Sequence, residues 1–242
     1  MAGTVRLSLR LLAMIVVLLG ALALHGGWRA LRRPSPWPRR FLGVVARIVG
    51  ARVRAVGAPL TRDVVFLANH LSWIDILAIA GATGSAFVAK GELRGVPLVG
   101  WLCTLNGTLF VSREDRLQVG AQIARLRTAI TAGARPVTLF PEGTTGDGET
   151  LLPFKAALLA ALDPAPPGVA VQPIRVDYGN ATSELAWVGD EPGLSHALRV
   201  LRRRGNFVTT LRFATPFDPG AWQGRKAIAA EARARIEALG GR

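Results

Sequence analysis

A chain of 242 residues, half of them hydrophobic, has material for one good-sized α/β domain plus an appendage and excludes an intrinsically disordered protein. The formal charge of +14 is nearly all arginine, the only lysines being Lys90, Lys155 and Lys226; such a balance attracts a polyanion, either an anionic membrane face or nucleic acid. One cysteine, Cys103, and three scattered histidines, His25, His70 and His196, exclude an intramolecular disulfide and a zinc site of the usual spacing.

Residues 11–24 are all apolar or glycine, with Arg6 and Arg10 before them and Arg29, Arg32, Arg33, Arg39 and Arg40 after. The run spans about 21 Å as a helix, short of a ~30 Å hydrocarbon core. It suits a signal peptide cleaved near Ala21-Leu22-Ala23, a short transmembrane anchor, or a monotopic helix in one leaflet. A second basic, apolar segment, Arg39 to Gly50, suits a membrane interface and argues against cleavage. Residues 1–50 are therefore expected to form a membrane-anchoring helical segment, and residues 51–242 the functional domain. If the first segment spans, its heavier arginine flank places that domain on the cytoplasmic side of the inner membrane.

From Ala51 the pattern alternates. Strands are predicted at Val53–Val56, Val64–Ala68, Ala86–Ala89, Thr108–Val111, Val137–Phe140, Val169–Val176, Leu185–Val188 and Phe207–Phe213. Helices are predicted at Trp73–Ala80, Glu114–Ala132, Phe154–Leu162, Leu194–Arg204 and Gln223–Leu239, the last read as a solvated amphipathic helix. Val119, Ile123, Leu126 and Ile130 recur at helical spacing and form one apolar face. The alternation predicts an α/β domain with a mixed, largely parallel sheet covered by helices on both faces.

Asn69-His70-Leu71-Ser72-Trp73-Ile74-Asp75 lies where the second strand gives way to a helix. Ser72 and Asp75 have capping-box spacing, with Ser72 at the N-cap and Asp75 in the first turn. A carboxylate there can accept the Nδ1 proton of His70 and leave Nε2 as a base. This pair would take a proton from an attacking hydroxyl at the end of the sheet where ligands bind. From the H-x-x-x-x-D spacing alone, a turn histidine beside a helix-capping carboxylate fits as well.

Downstream, Gly107 to Arg113 reads as a strand ending in a cation, with Ser112 a helix cap. Val137 to Gly148 is a strand running into a turn with Gly143, Gly146 and Gly148, whose N–H groups suit an anion, and with Glu142 at the strand end. Pro153 suits a helix start before Lys155, and Pro173 in Val171-Gln172-Pro173-Ile174 suggests an edge or bulge. Neither a G-x-S-x-G elbow, nor a Walker loop, nor G-x-G-x-x-G occurs.

In order along the chain, these blocks resemble the glycerolipid acyltransferase family of 1-acylglycerol-3-phosphate and lysophospholipid acyltransferases. Asn69-His70 to Asp75 matches N-H-x-x-x-x-D, Gly107 to Arg113 matches G-x-x-F-x-x-R, Phe140 to Thr144 matches F-P-E-G-T, and Val171 to Ile174 resembles V-x-P-x. Lys90-Gly91-Glu92-Leu93 with Pro97 and Gly100 resembles the family's K-x-E-L…P…G segment. The resemblance covers about residues 40–215. It implies acyl transfer from acyl-CoA or acyl-carrier protein, as co-substrate and without a further cofactor, to the free hydroxyl of a lyso-lipid. His70 would be the base and Asp75 its orienting partner. Lys90, Arg113, Glu142 and Gly143 would bind the acceptor, with Asn69, Ser72, Thr144, Thr145 and Lys155 completing the substrate-binding set. Backbone N–H groups near Glu142–Thr144 are the candidates for holding the oxyanion.

The sequence departs from the family at Thr145. Members acting on lysophosphatidate usually carry arginine there, and threonine lacks the charge-assisted contact to phosphate. Lysophosphatidate is the expected acceptor, as the commonest in the family. The run from Glu142 through Gly148 to Lys155 also resembles the branch that acylates lyso-ornithine lipid, in which Asp147 would meet a cationic head group. A non-catalytic basic protein on a membrane or polyanion is the reading from another class, but it leaves the ordered blocks unexplained. No nucleic-acid partner is expected, because no base-reading motif with interleaved aromatics is visible.

Overall fold

The structure, a computed structural model, describes residues 2–111, 119–133 and 135–240. Its elements are α1 (Ala2–Ala30), α2 (Trp37–Val49), β1 (Ala51–Val56), β2 (Val64–Ala68), α3 (Ile74–Thr83), β3 (Ala86–Lys90), α4 (Val99–Leu105), β4 (Leu109–Val111), α5 (Val119–Thr131), β5 (Val137–Leu139), β6 (Ala170–Asp177), α6 (Thr182–Leu185), α7 (Gly193–Arg202), β7 (Phe207–Phe213) and α8 (Gly224–Ala238).

Strand β2 shows why the sheet must be covered on both faces. All five of its residues are buried, and the period of two sends them to opposite sides. Val64, Phe66 and Ala68 join a core with Val45, Ala46 and Val49 of α2 and Ile74, Ala78 and Ile79 of α3. Val65 and Leu67 join a second core with Leu126 and Ile130 of α5 and Ile228, Ala229 and Ala232 of α8. Each fully buried Leu, Ile or Phe in these cores contributes roughly 1.5–3 kcal/mol relative to exposure.

Among the described residues the sheet has seven strands in the order β1-β7-β6-β2-β5-β3-β4. Every pairing is parallel except β6 with β7. The mixed, largely parallel sheet with helices on both faces is thus present. Strand β2 lies between β6 and β5, so the carboxyl ends of these three parallel strands form one contiguous edge.

Several elements differ from the sequence-based expectation. Residues 185–188 are not a strand: Leu185 ends α6, and the Trp187 N–H goes to the Leu71 carbonyl at 2.8 Å. The helix expected at Phe154–Leu162 is a 3₁₀ helix over Ala156–Leu162. Pro173 lies not at a sheet edge but inside β6, between β2 and β7. It is tolerated because β7 pairing starts only at Ile174, and the Gln172 Nε2 donates to the Ala214 carbonyl beside it at 3.0 Å. The expectations for Ser112, Arg113 and the first turn of the 114–132 helix lie outside the described residues.

At the N-terminus, the apolar run is part of a 29-residue helix, about 43 Å long and so long and apolar enough to cross a membrane. One face packs inward through Leu7 and Met14. The other exposes Val5, Leu9, Leu12, Val16 and Leu19 at alternating spacings of four and three, one helical stripe. Arg6 donates to the Arg202 carbonyl at 2.6 Å, and Arg10 to the Val200 and Leu201 carbonyls at 3.1 and 3.0 Å, at the end of α7. Helix α2 lies against α3 through a glycine pair. A Cβ on Gly81 would stand 2.7 Å from the Gly43 Cα, a distance only two bare backbones allow.

Candidate active site

The chain leaves β2 through Asn69, whose side chain is used up by the sheet. Its Nδ2 donates to the Val176 carbonyl at 3.0 Å and its Oδ1 accepts from the Val176 N–H at 2.7 Å. That pairing holds the turn against β6 and sends the next residue, His70, out over the sheet edge. The His70 ring stacks on Phe140, centroids 3.9 Å apart and planes 14° from parallel. Phe140 follows β5, so neighbouring strand ends supply the histidine ring and the surface that orients it.

Asp75 is fully buried and heavily solvated by the protein. Its Oδ2 lies 2.8 Å from His70 Nδ1 and accepts the N–H groups of Leu71 at 2.6 Å and Ser72 at 3.0 Å. Its Oδ1 accepts the hydroxyl of Tyr178, the residue after β6. An ionised carboxylate only accepts, so His70 Nδ1 carries the proton and Nε2 is left as a base. No described residue bonds Nε2, and the His70 side chain is 17% exposed.

The capping arrangement is shifted by one residue. Helix α3 starts at Ile74, with Trp73 rather than Ser72 at the cap position. Ser72 Oγ accepts from the Ile74 N–H at 3.1 Å, while Asp75 returns to the Ser72 N–H. The S-x-x-D spacing therefore forms the carboxylate half of the capping box, the Asp75 N–H going to the Ser72 carbonyl instead of its hydroxyl, and it also delivers the carboxylate to His70.

Glu142, at the end of β5, is 2% exposed. It accepts the main-chain N–H of His70 at 3.2 Å. Burial pushes its carboxyl up to about 7, and the charge of Asp75 adds to the rise; the N–H groups of His70 and Leu152, and Arg233, oppose it. The glycine turn is likewise turned inward. The Gly146 N–H donates to the His70 carbonyl at 2.8 Å, and the Gly143 N–H to the Phe140 carbonyl at 3.0 Å. In this arrangement the turn braces the His70 loop.

The residues expected to bind substrate separate into three groups. Asn69, Ser72 and Glu142 are buried and bonded to protein. Thr145, half-buried, donates its hydroxyl to the Trp187 carbonyl. Lys90 at the end of β3, Thr144 and Lys155 are exposed. Gly143 sits in the turn at φ 71°, and Arg113 lies outside the described residues. Asp147 closes a turn by accepting from the Glu149 N–H at 2.9 Å.

Sequence reasoning missed three contributors. Tyr178 carries no motif, although it lies just past the V-x-P-x block. Trp187 touches two site loops, through Leu71 and Thr145, from a segment read as a strand. Arg233, on the helix read as solvated, donates to the Leu151 and Leu152 carbonyls at 3.0 and 2.9 Å, bracing the stretch that faces Glu142. His196 is a buried structural histidine: it accepts from Trp73 Nε1 at 3.0 Å through Nδ1 and donates to the Leu185 carbonyl at 3.1 Å through Nε2. Both bonds need its neutral form, which burial favours.

A strand-end histidine with a buried carboxylate on Nδ1, and with no described residue bonded to Nε2, has the arrangement that general-base chemistry requires. The family model for Acyltransferase matches residues 51–177, and the chain belongs to that family. It is similar to a lyso-ornithine lipid O-acyltransferase of Rhodobacter capsulatus, 34% identical over 98% of this chain and 90% of that protein. A 1-acyl-sn-glycerol-3-phosphate acyltransferase of Neisseria meningitidis is 35% identical over 59% of this chain and 55% of its own length. Among solved structures, the 1-acyl-sn-glycerophosphate acyltransferase PlsC of Thermotoga maritima shares the fold, with a TM-score of 0.68 at 22% identity over 99% of this chain and 98% of that one.

Proposed function

We propose that the protein acylates a lyso-lipid hydroxyl from an acyl thioester, with lyso-ornithine lipid as the acceptor. The acceptor O–H gives its proton to His70 Nε2 as the oxygen attacks the thioester carbonyl carbon. The tetrahedral oxyanion collapses, the C–S bond breaks, and the leaving sulfur takes the proton back from the His70 imidazolium. Asp75 stabilises the imidazolium between these steps. Positioned base catalysis gives ~10²–10⁴-fold, or about 3–5 kcal/mol; holding acceptor and thioester together supplies further acceleration. The single observation that carries the chemistry is the 2.8 Å contact of His70 Nδ1 with a fully buried Asp75.

The choice of acceptor reverses the expectation of lysophosphatidate. At position 145 there is no cation to meet a phosphate, and the threonine hydroxyl is spent on Trp187. The similarity to the lyso-ornithine lipid enzyme also runs through nearly the whole chain. Lysophosphatidate is the second reading, supported by exposed Lys90 and Lys155 on the strand-end side.

Helix α1 supports a seat on the membrane. Its N-terminal half is bonded to α7, and its far half shares an apolar cavity with α4 through Leu18, Leu22, Leu102 and Leu105. A helix held to the domain along its length suits a monotopic position, with the exposed leucine stripe in one leaflet. Leu93, Val96, Leu98, Val99 and Trp101 offer a second exposed apolar stretch.

The test is acyl transfer by the purified full chain in detergent, with acyl-CoA and acyl-carrier protein each offered against lyso-ornithine lipid and lysophosphatidic acid. His70→Ala is the control. Product from lyso-ornithine lipid that vanishes in His70→Ala is the expected result. Product from lysophosphatidic acid alone would return the acceptor to the second reading. Undiminished turnover by His70→Ala would remove His70 as the base.

A further inference from the structure

The Asp75 carboxylate presents one oxygen to His70 and the other to a residue outside every motif block. Tyr178 is 2% exposed. Its hydroxyl donates to Asp75 Oδ1 and lies 3.0 Å from Ser72 Oγ. The direction of these bonds is determined. The phenol has one proton, and an acceptor-only carboxylate must receive it. Ser72 then donates to the phenol oxygen while accepting from the Ile74 N–H at 3.1 Å. A one-way chain runs from the start of α3 through Ser72 and Tyr178 into Asp75, and each link polarises the next.

We propose that Tyr178 is a positioning residue of the catalytic pair: by donating to Asp75 Oδ1 it fixes the carboxylate plane and sets how much of the Asp75 charge reaches His70. The proposal rests on the reading of His70 as the base. Its geometry is independent of which lipid is the acceptor. The ring is held edge-on against Phe207 of β7, centroids 5.8 Å apart, so the hydroxyl has little freedom to leave. Burial and the adjoining Asp75 charge push the phenol well above its ordinary value, keeping it a donor at any assay pH.

Tyr178 is the only tyrosine of the chain. Supplying fluorinated tyrosines during expression therefore changes this position alone, in graded acidity and with almost no change of shape. The full chain in detergent is assayed for the pH dependence of kcat/KM with lyso-ornithine lipid and, in parallel, lysophosphatidic acid. The His70 ring nitrogens are followed by ¹⁵N NMR, which separates His70 from Glu142, the other titrating group beside Asp75.

A more acidic phenol draws more charge from Asp75. The His70 titration and the acid limb of kcat/KM are expected to move down together along the series, by some tenths of a pH unit, and Tyr178→Phe to lose about tenfold in kcat with acceptor KM little changed. A His70 titration that stays put across the series overturns the proposal, as does a Tyr178→Phe enzyme altered only in thermal stability. If Tyr178→Phe does not fold, the fluorinated series decides alone. Should His70→Ala keep its turnover, the base assignment falls, while the NMR titration still reports whether Tyr178 acts on His70.

Discussion

The carboxylate of Glu142 receives the main-chain N–H of His70, 3.2 Å away and from a different strand end. This bond ties the F-P-E-G-T turn to the His70 loop, and it gives the protein a pH-dependent element. The Glu142 carboxyl is held at about 7 in the fold, chiefly by burial, against an ordinary 4.5. Between these values the folded state keeps a proton that the unfolded state has lost, so Glu142 makes stability fall as pH rises from 4.5 to 7, by about 3 kcal/mol at most. Glu142→Gln removes this slope. Denaturant unfolding at pH 5 and pH 7.5 should show a smaller difference for the variant than for the parent.

If Glu142 braces His70 rather than gripping a head group, Glu142→Ala should lower kcat more than it raises acceptor KM. Steady-state kinetics over a range of lyso-lipid concentrations distinguish the two; a rise in KM with kcat intact would make Glu142 a binding residue.

Asp75→Asn keeps the size of the side chain and removes its charge. The amide can present N–H to His70 and impose the wrong tautomer. Turnover should fall by on the order of 10³-fold or more, with the fold retained. Circular dichroism together with the acyl-transfer assay checks both halves.

Arg233→Met should act on the site from the outer layer of the fold. It loses the bonds to the Leu151 and Leu152 carbonyls and the 2.9 Å ion pair with Glu237. That ion pair is partly exposed and worth little; the carbonyl bonds are worth roughly 1–3 kcal/mol. Amide exchange over residues 146–152 should quicken in the variant, and its Glu142 carboxyl should shift upward, because Arg233 holds it down.

Gly81→Val tests the docking of the N-terminal helices. The new side chain meets the Gly43 backbone at 2.7 Å from its Cβ onward, and overpacking of this kind costs about 1–3 kcal/mol. Thermal unfolding should come earlier, and protease cleavage in residues 31–36 should become faster as α2 loosens from α3.

The linear chain was informative wherever a signal is local. The all-buried run of β2, the alternation of strands and helices, and the spacing of His70 and Asp75 each depend on neighbours a few residues apart. They announced the mixed sheet and the pairing of His70 with Asp75. Thr145 was also visible as a residue without charge where a phosphate contact was expected. The resemblance to a family supplied the order of the blocks; the residues themselves supplied the reason for a base.

What only the tertiary structure decided depends on partners far apart in sequence. Tyr178 reaches Asp75 because β6 lies beside β2, a pairing that no period reveals. The resemblance alone named Asn69 and Glu142 as substrate-binding candidates; their partners within the protein, the Val176 carbonyl and the His70 N–H, appear only once the neighbouring strands are placed. Residues 185–188 differ from the expected strand because a short apolar run is compatible with strand or helix, and the Trp187 main-chain N–H donates to the distant Leu71 carbonyl rather than to a neighbouring strand. The pairing of His70 with Asp75 was thus encoded locally, while the buried layer that orients it was assembled by strand order, since a hydrogen bond needs proximity in space and not in sequence.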